Sequence, residues 1–281
     1  MSVPSARLTS GHRLPAVGFG TWNLAGDDLR TALEAALDAG YTHVDTAEGY
    51  FNEETVGEAI AASDVDREDL FLTSKVLPKN LDYESVVRSC EATLDRLDTD
   101  YLDLYLVHWP NPAVSIRETM AAMETLVERD LVRSVGVSNF DAYQVGAALR
   151  VADVPIAVNQ LEYHPYYQQR DTVEFCRAEG VAVEAAAPLA RGAVLDDEVV
   201  LDLAEDYDRS PAQVVLRWAR EHGVVVLPKS SDPGHVRENL RVTEWSLDDG
   251  DVERLDERAR DEPVYDAPTY DWSDDTWGIA E

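Results

Sequence analysis

Short apolar runs rich in Val, Leu and Ile alternate along this chain with longer segments whose apolar positions recur at helical spacing. The runs lie at 16–20 (AVGFG), 43–47 (HVDTA), 70–76 (LFLTSKV), 102–108 (LDLYLVH), 134–140 (SVGVSNF), 156–160 (IAVNQ), 181–188 (VAVEAAAP) and 224–230 (VVVLPKS), and they predict eight strands. Helices are predicted near 27–39, 53–62, 83–97, 115–129, 141–150, 169–179, 197–207 and 210–222. Asp82 suits the cap of the third, and Ser210 followed by Pro211 reads as a cap and first-turn pair. Residues 3–14 read as a hairpin about Ser10-Gly11 that plugs one mouth of the sheet. Two further helices, 233–241 and 248–260, follow the eighth strand, and residues from 261 onward read as loop.

Eight strand–helix alternations imply an α/β fold with a parallel sheet, and eight strands close into a (β/α)8 barrel, the TIM-barrel architecture. One such domain takes about 250 residues, nearly all of the 281 present, so residues 1–281 read as a single domain. An open doubly wound sheet is the competing arrangement. Its first turn should carry GxGxxG, whereas only Gly18-Phe19-Gly20 stands here, followed by Thr21-Trp22.

Charge narrows the partners. With 55 acidic residues against 24 basic ones, a net charge of −31 makes nucleic acid and anionic membrane surfaces poor partners. Only Lys75, Lys79 and Lys229 among the basic residues are lysines, and an acid-laden, arginine-rich, lysine-poor chain has the composition of a halophile's cytosolic protein. The first residues carry no apolar signal core, and no run approaches the ~18 apolar residues of a membrane span, so a cytoplasmic protein is expected. Self-repulsion favours a monomer. Cys90 and Cys176, without CxxC spacing, read as small buried hydrophobes.

The carboxyl ends of parallel barrel strands share one rim. Asp45, Lys75 and His108 sit at or near the ends of the second, third and fourth runs, and Tyr50 follows the second. Taken singly, each has a plain reading: a turn aspartate, a solvent-reaching lysine, a packed histidine, a loop tyrosine. Gathered on one rim they make a proton-transfer site. Free tyrosine titrates near ~10, and a cation within about 4–6 Å lowers such a value by roughly 1–3 units. Lys75 is therefore expected to draw Tyr50 towards neutrality, with Asp45 holding Lys75 and His108 orienting a carbonyl oxygen. His43 and Asp45 also form an HxD pair of the kind that binds metal. The later strand ends offer Ser138, Asn139, Gln160 and Lys229, none a usual transition-metal ligand, so a metal-dependent hydrolase is disfavoured and no metal is expected.

Asp45-Thr46-Ala47-x-x-Tyr50-x-Asn52-Glu53, then Lys75, His108-Trp109-Pro110 and Gly136-Val137-Ser138-Asn139-Phe140, in this order and spacing, resemble the aldo-keto reductase family. The resemblance covers about residues 7–260 and is closest to short bacterial-type members that reduce small aldehydes, ketones and sugar-like carbonyls. It implies Tyr50 as general acid, Lys75 and Asp45 as its tuning pair, and His108 as orienting group. It places Ser138, Asn139 and Gln160 on a nicotinamide carboxamide, Gly20 and Thr21 beside that ring, and Trp22 and Trp109 around the substrate. Pro188, Leu189 and Gly192 keep the loop that passes the pyrophosphate, and Lys229, Ser230, His235, Glu238 and Asn239 match the element that holds the adenosine 2′-phosphate and adenine.

Two departures stand out. Ala186 replaces the aromatic that stacks on the nicotinamide, so either weaker cofactor binding or the recruitment of another ring is expected. His235 replaces an arginine of the phosphate clamp, removing a bidentate fork. NADPH is the expected cofactor, with NADH accepted. Phe51 and Trp277 are further rings near the pocket that read better as packing. A rival from another class is a non-catalytic, nucleotide-sensing regulatory subunit; such a protein need not retain all four of Asp45, Tyr50, Lys75 and His108, and this chain does.

Overall fold

A computed structural model describes residues 3–265. Strand β1 (Ser5–Arg7) pairs antiparallel with β2 (Arg13–Pro15), and Leu8 N donates to His12 O across the turn. Eight parallel strands follow, each beside the next: β3 (Phe19–Gly20), β4 (His43–Asp45), β5 (Phe71–Val76), β6 (Leu104–Val107), β7 (Val135–Ser138), β8 (Ile156–Glu162), β9 (Ala182–Ala186) and β10 (Val225–Val226). Val17 bridges Val226, with Gly18 N on Val226 O at 2.9 Å and Val226 N on Ala16 O at 3.2 Å. These bonds return the last strand to the first, so the sheet closes and the open arrangement falls away. β8 runs two residues past the apolar run that predicts it, because Leu161 and Glu162 still pair with Ala185 and Ala186.

Helices fill the connections: α1 (Gly26–Ala39), α2 (Glu53–Ala61), α3 (Tyr83–Leu97), α4 (Ile116–Glu128), α5 (Ala142–Val151), α6 (Arg170–Ala178), α7 (Glu198–Tyr207) and α8 (Pro211–Glu221). Asp82 caps α3 by accepting from Ser85 N, and Ser210 with Gln213 makes a reciprocal capping box ahead of Pro211. After β10 come α9 (Pro233–Leu240) and α10 (Asp249–Asp256). α10 ends earlier than the expected 260. The Asp256 carbonyl accepts from Gln168 Nε2 and Arg170 Nη2 at 3.0 and 2.8 Å, and Arg260 N turns back to Tyr166 O. Side chains from another loop thus take over the carbonyl that a continued helix would use.

The barrel interior is divided by height. Along β5, strand alternation sends Leu72 and Val76 outward to the helices and Phe71, Thr73 and Lys75 inward. At the amino-terminal end, Leu8 and Leu14 of the hairpin pack with Phe71, Leu104, Leu106, Ala157, Val158 and Val225, so the hairpin is the expected plug. Above this apolar layer the interior turns polar, with His43, Asp45, Thr73, Lys75, Gln160 and Glu184 all buried. Cys90 and Cys176 are free and buried, and among the described residues no helix is long and apolar enough to cross a membrane.

Gly136 on β7 shows how tight the interior is. A Cβ there would stand 2.5 Å from Val158 O and 2.7 Å from Leu106 Cδ2. Gly136→Ala is expected to destabilise the fold by about 2 kcal/mol, the middle of the overpacking range, as measured by urea denaturation; an unchanged midpoint would mean the barrel yields there at no cost.

Candidate active site

Lys75 is fully buried at the carboxyl end of β5, and each of its three ammonium protons has an acceptor. Nζ donates to Asp45 Oδ1 at 2.6 Å, to Thr46 O at 2.9 Å and to the Tyr50 hydroxyl at 3.1 Å. Asp45 ends β4 and is only 3% exposed. Tyr50 ends a single 3-10 turn, Glu48–Tyr50, that follows directly. His108 comes one residue after β6 and meets the Tyr50 ring edge-on at 5.6 Å. The four predicted residues are brought together on one rim.

The turn that carries Tyr50 is held from several sides. Glu48 accepts from Leu77 N and Asn80 Nδ2 at 3.0 and 2.9 Å. Asn52 donates to Thr21 O and Leu24 O and accepts from Thr46 Oγ1. Glu53, buried, binds Ser74 Oγ and Arg96. Glu48 lies outside the expected site; its polar side chain between Ala47 and Gly49 was the available signal.

Electrostatics revise one expectation. Burial first, and then the Asp45 charge, hold the Tyr50 phenol well above its ordinary value. Lys75 does not pull it down, because Asp45, 2.6 Å from the ammonium, offsets its charge and burial raises the phenol further. Tyr50 is therefore a firmly protonated acid. Burial, then Lys75, push His108 well below the usual imidazole range, so this ring is neutral.

A cavity of about 120 Å³ opens over these groups, lined by Gly20, Trp22, Asp45, Tyr50, Gln160 and Lys229, with Pro188, Leu189, Arg191 and Tyr265 on its far wall. Comparison with known proteins gives this geometry its context. Residues 16–260 match the model of the aldo/keto reductase family. A glyoxal reductase of Bacillus subtilis is 38% identical over 92% of this chain and 94% of its own length. A putative methylglyoxal reductase of Salmonella typhi is 38% identical over 90% and 94%. The chain belongs to the aldo/keto reductase family. Among solved members, a Bombyx mori aldo-keto reductase in complex with NADP superposes with a TM-score of 0.89 at 31% identity, covering 95% of this chain and 96% of that one.

The remaining expected residues fall into three groups. Gly20 N donates to Pro228 O, and Thr21 donates from N and Oγ1 to Asp45 O, so both shape the floor beside Asp45. Asn139 gives both amide hydrogens away, to His108 O and Ser138 Oγ, each at 3.0 Å. Gln160 does the same, to Asp45 Oδ2 at 2.9 Å and Glu184 Oε2 at 3.0 Å. What these side chains still offer is one hydroxyl donor, Ser138, and two amide oxygens, Asn139 Oδ1 and Gln160 Oε1. That is the complement of a primary carboxamide, with its one acceptor and two N–H donors, so the residues fit a nicotinamide.

The second group lies further out. Gly192 sits at φ 97° in the turn after Leu189. Ser230 bonds Asp232 N, and Asp232 caps α9 by accepting from Gly234 N and His235 N. Those two amide bonds hold the Asp232 carboxyl below the usual carboxylate range, so a negative group stands beside His235 in the expected phosphate clamp. Asn239 is buried on α9, while Glu238 is exposed and lines a separate groove of about 540 Å³ with Gln213, Arg209 and Arg241. The third group is aromatic. Trp22 lies under Arg191, 4.7 Å from its ring centroid, and Trp109 meets Tyr265 at 6.5 Å. Phe51 is 76% exposed and neither packs nor lines the cavity, and Trp277 lies outside the described residues. Tyr265 was not anticipated: its N and that of Val264 bond the buried Glu162 carboxylate, which ties the segment to the end of β8.

The buried ion pair yields a stability test. Lys75→Met strands the Asp45 charge and is expected to destabilise by about 3–5 kcal/mol, the range for breaking a buried pair, with part of the loss recovered in Lys75→Met/Asp45→Asn. Urea denaturation of the two variants checks this; equal stabilities would mean that Asp45 is solvated without its lysine.

Proposed function

We propose that this chain reduces small aldehydes and ketones of the glyoxal and methylglyoxal type to alcohols, with NADPH as hydride source and Tyr50 as general acid. The observation that carries the reading is the Lys75 ammonium bridging Asp45 and the Tyr50 hydroxyl, with neutral His108 at the ring's edge. The relatives named for glyoxal and methylglyoxal reduction, and that solved with NADP, support the same substrate class and cofactor.

Bound NADPH supplies the hydride; the chain's own residues do the rest. Ser138, Asn139 and Gln160 hold the carboxamide through the hydroxyl and two amide oxygens left to them. His108 offers its N–H to the substrate oxygen, and Trp22 and Trp109 flank the carbonyl. As negative charge builds on that oxygen, Tyr50 releases its proton to it. Lys75, already donating to the phenol oxygen, strengthens that hydrogen bond as the phenolate forms, so the stabilisation grows along the reaction path. Lys229 and Ser230 take the 2′-phosphate. His235 lacks arginine's fork and Asp232 adds a negative neighbour, so the site distinguishes NADPH from NADH weakly. With its acidic surface the protein works as a monomer in a salt-rich cytoplasm, where charges are screened within about 3 Å at 1 M salt.

Tyr50→Phe is expected to lower turnover by roughly 100- to 10,000-fold, the span of general acid catalysis, with NADPH affinity retained; the check is NADPH consumption with glyoxal and methylglyoxal in molar KCl. Near-normal turnover would remove Tyr50 as the acid, and a wild type that binds NADPH but reduces nothing would favour a nucleotide-sensing role. His235→Arg combined with Asp232→Ser should raise the NADPH-to-NADH ratio of kcat/KM by about tenfold or more, the gain from a bidentate charged contact. An unmoved ratio would place the phosphate elsewhere.

A further inference from the structure

One buried carboxyl group has no part in the scheme above. Glu184 lies in β9, fully buried, the single charged residue in the run VAVEAAA. Its Oε2 accepts the second Nε2 hydrogen of Gln160 at 3.0 Å. Its Oε1 stands 3.7 Å from His43 Nε2 and has no hydrogen-bond partner. His43, two residues before Asp45 on β4, is fully buried as well, with Nε2 3.1 Å from the Thr73 hydroxyl. Gly18 makes room for that ring, since a Cβ there would come within 2.6 Å of Nδ1. A continuous path of hydrogen bonds thus runs from Lys75 through Asp45 and Gln160 to Glu184, with His43 standing beyond its end.

The charges facing this pair are few. β4 contributes Asp45 and β5 contributes Lys75, while β8 presents the neutral Gln160 amide and β2 the Pro15 carbonyl near His43. In the strand register, β10 places apolar Val225 beside Glu184. Lys75 is already matched by Asp45 at 2.6 Å. An ionised Glu184 would put two carboxylates on one amide nitrogen with a single buried ammonium to answer them. A carboxylic acid there keeps a carbonyl oxygen for Gln160 and leaves its O–H on the side of His43, 3.7 Å from the ring nitrogen, with no second buried charge to be matched.

We infer that Glu184 is held as a neutral carboxylic acid beside neutral His43 beneath the catalytic pair and is a positioning residue for the reduction, fixing the Gln160 amide and leaving Asp45 as the sole charge opposite Lys75. The inference rests on the reading of the rim as a carbonyl reductase. Burial, and then the Asp45 charge, push Glu184 up to about 8, while burial and Lys75 push His43 down to about 3. At neutral pH the proton is therefore on the carboxyl. Because the folded value of Glu184 is raised, its acid form dominates below about 8 and is lost as pH rises through that point. The carboxylate then formed opposes the negative charge that builds on Tyr50 and the substrate oxygen, so turnover falls on the alkaline side.

Two variants and three readouts test this. In the wild type, kcat should fall by up to about tenfold per pH unit above the Glu184 titration, the slope of one essential ionisation. Glu184→Gln, a permanently neutral isostere that keeps an acceptor for Gln160, should abolish that alkaline fall. Glu184→Leu removes the acceptor for Gln160 and should raise the NADPH dissociation constant by roughly tenfold, as expected for one stranded buried donor, with glutamine restoring most of the affinity. Should the leucine variant fail to fold, the glutamine variant and infrared spectroscopy decide. The infrared difference between wild type and Glu184→Gln at neutral pH should contain a protonated-carboxyl band that vanishes with the same midpoint as kcat. An absent band, or an alkaline fall that persists in Glu184→Gln, would overturn the inference. The band is independent of turnover, so it separates this failure from failure of the reductase reading, which Tyr50→Phe tests.

Discussion

A lysine ammonium with no access to water governs the top of this barrel. Burying a cation costs several kcal/mol unless it is paired and its remaining protons find acceptors. Lys75 meets that demand through one carboxylate, one backbone carbonyl and one phenol. The three acceptors come from a short stretch, residues 45–50, so the demand of one side chain fixes where that stretch must run. Tyr50 is in place because it completes a coordination set, and its hydroxyl cannot leave without stranding a buried proton donor. The proposed catalytic geometry and structural necessity coincide in a single contact.

The elements around that contact serve to keep it. Asp45 has a second oxygen, which Gln160 satisfies from across the barrel, and Gln160's other hydrogen goes to Glu184. Asn139 uses its two hydrogens to tie the His108 carbonyl to β7. In both cases the amide nitrogen is used up within the protein, so only the amide oxygen is left to offer, and Gln160 lines the cavity. The polarity of the proposed cofactor site is thus set by the protein's need to satisfy its own buried carboxylates and carbonyls. The same economy explains the layering of the interior, where leucines of the hairpin and strands close the lower end and confine water-seeking groups to the upper rim.

Much of this was legible from the chain. Eight apolar runs separated by helical segments predict the barrel because a parallel strand covered by helices must be apolar on its outward face, and the hairpin and caps at Asp82 and Ser210 follow from turn chemistry. Asp45, Tyr50, Lys75 and His108 stand out through position and, for Lys75, through the scarcity of lysine. What escaped notice is set by tertiary contact. That Tyr265 reaches the cavity depends on Glu162 capturing two backbone amides about a hundred residues away. That Glu238 lines a different groove from Lys229 depends on α9 lying against α8, where Gln213 donates to the Glu238 carbonyl. Phe51 reads as packing by its chemistry, yet its backbone at φ 54° turns the ring to solvent. Glu184 carried a signal, a lone acid in an apolar strand, whose meaning appears only once the strand's neighbours are known.

The raised Tyr50 pKa is the most instructive departure, because it changes how the lysine is understood to act. A phenol drawn down to neutrality would be partly ionised at rest, and the ionised fraction could not donate. A phenol held protonated by burial is fully competent, provided its conjugate base is stabilised when it forms. Lys75 supplies that stabilisation at 3.1 Å without being free to discharge the phenol beforehand, since Asp45 balances it in the resting state. As the proton leaves, the developing phenolate draws on the same ammonium in a region closed to water, where the interaction is far stronger than in solvent. Neutral His108 fits this scheme, because a second cation at the rim would stabilise the phenolate in the ground state as well. In the proposed reaction the site withholds its positive charge until a negative one is created.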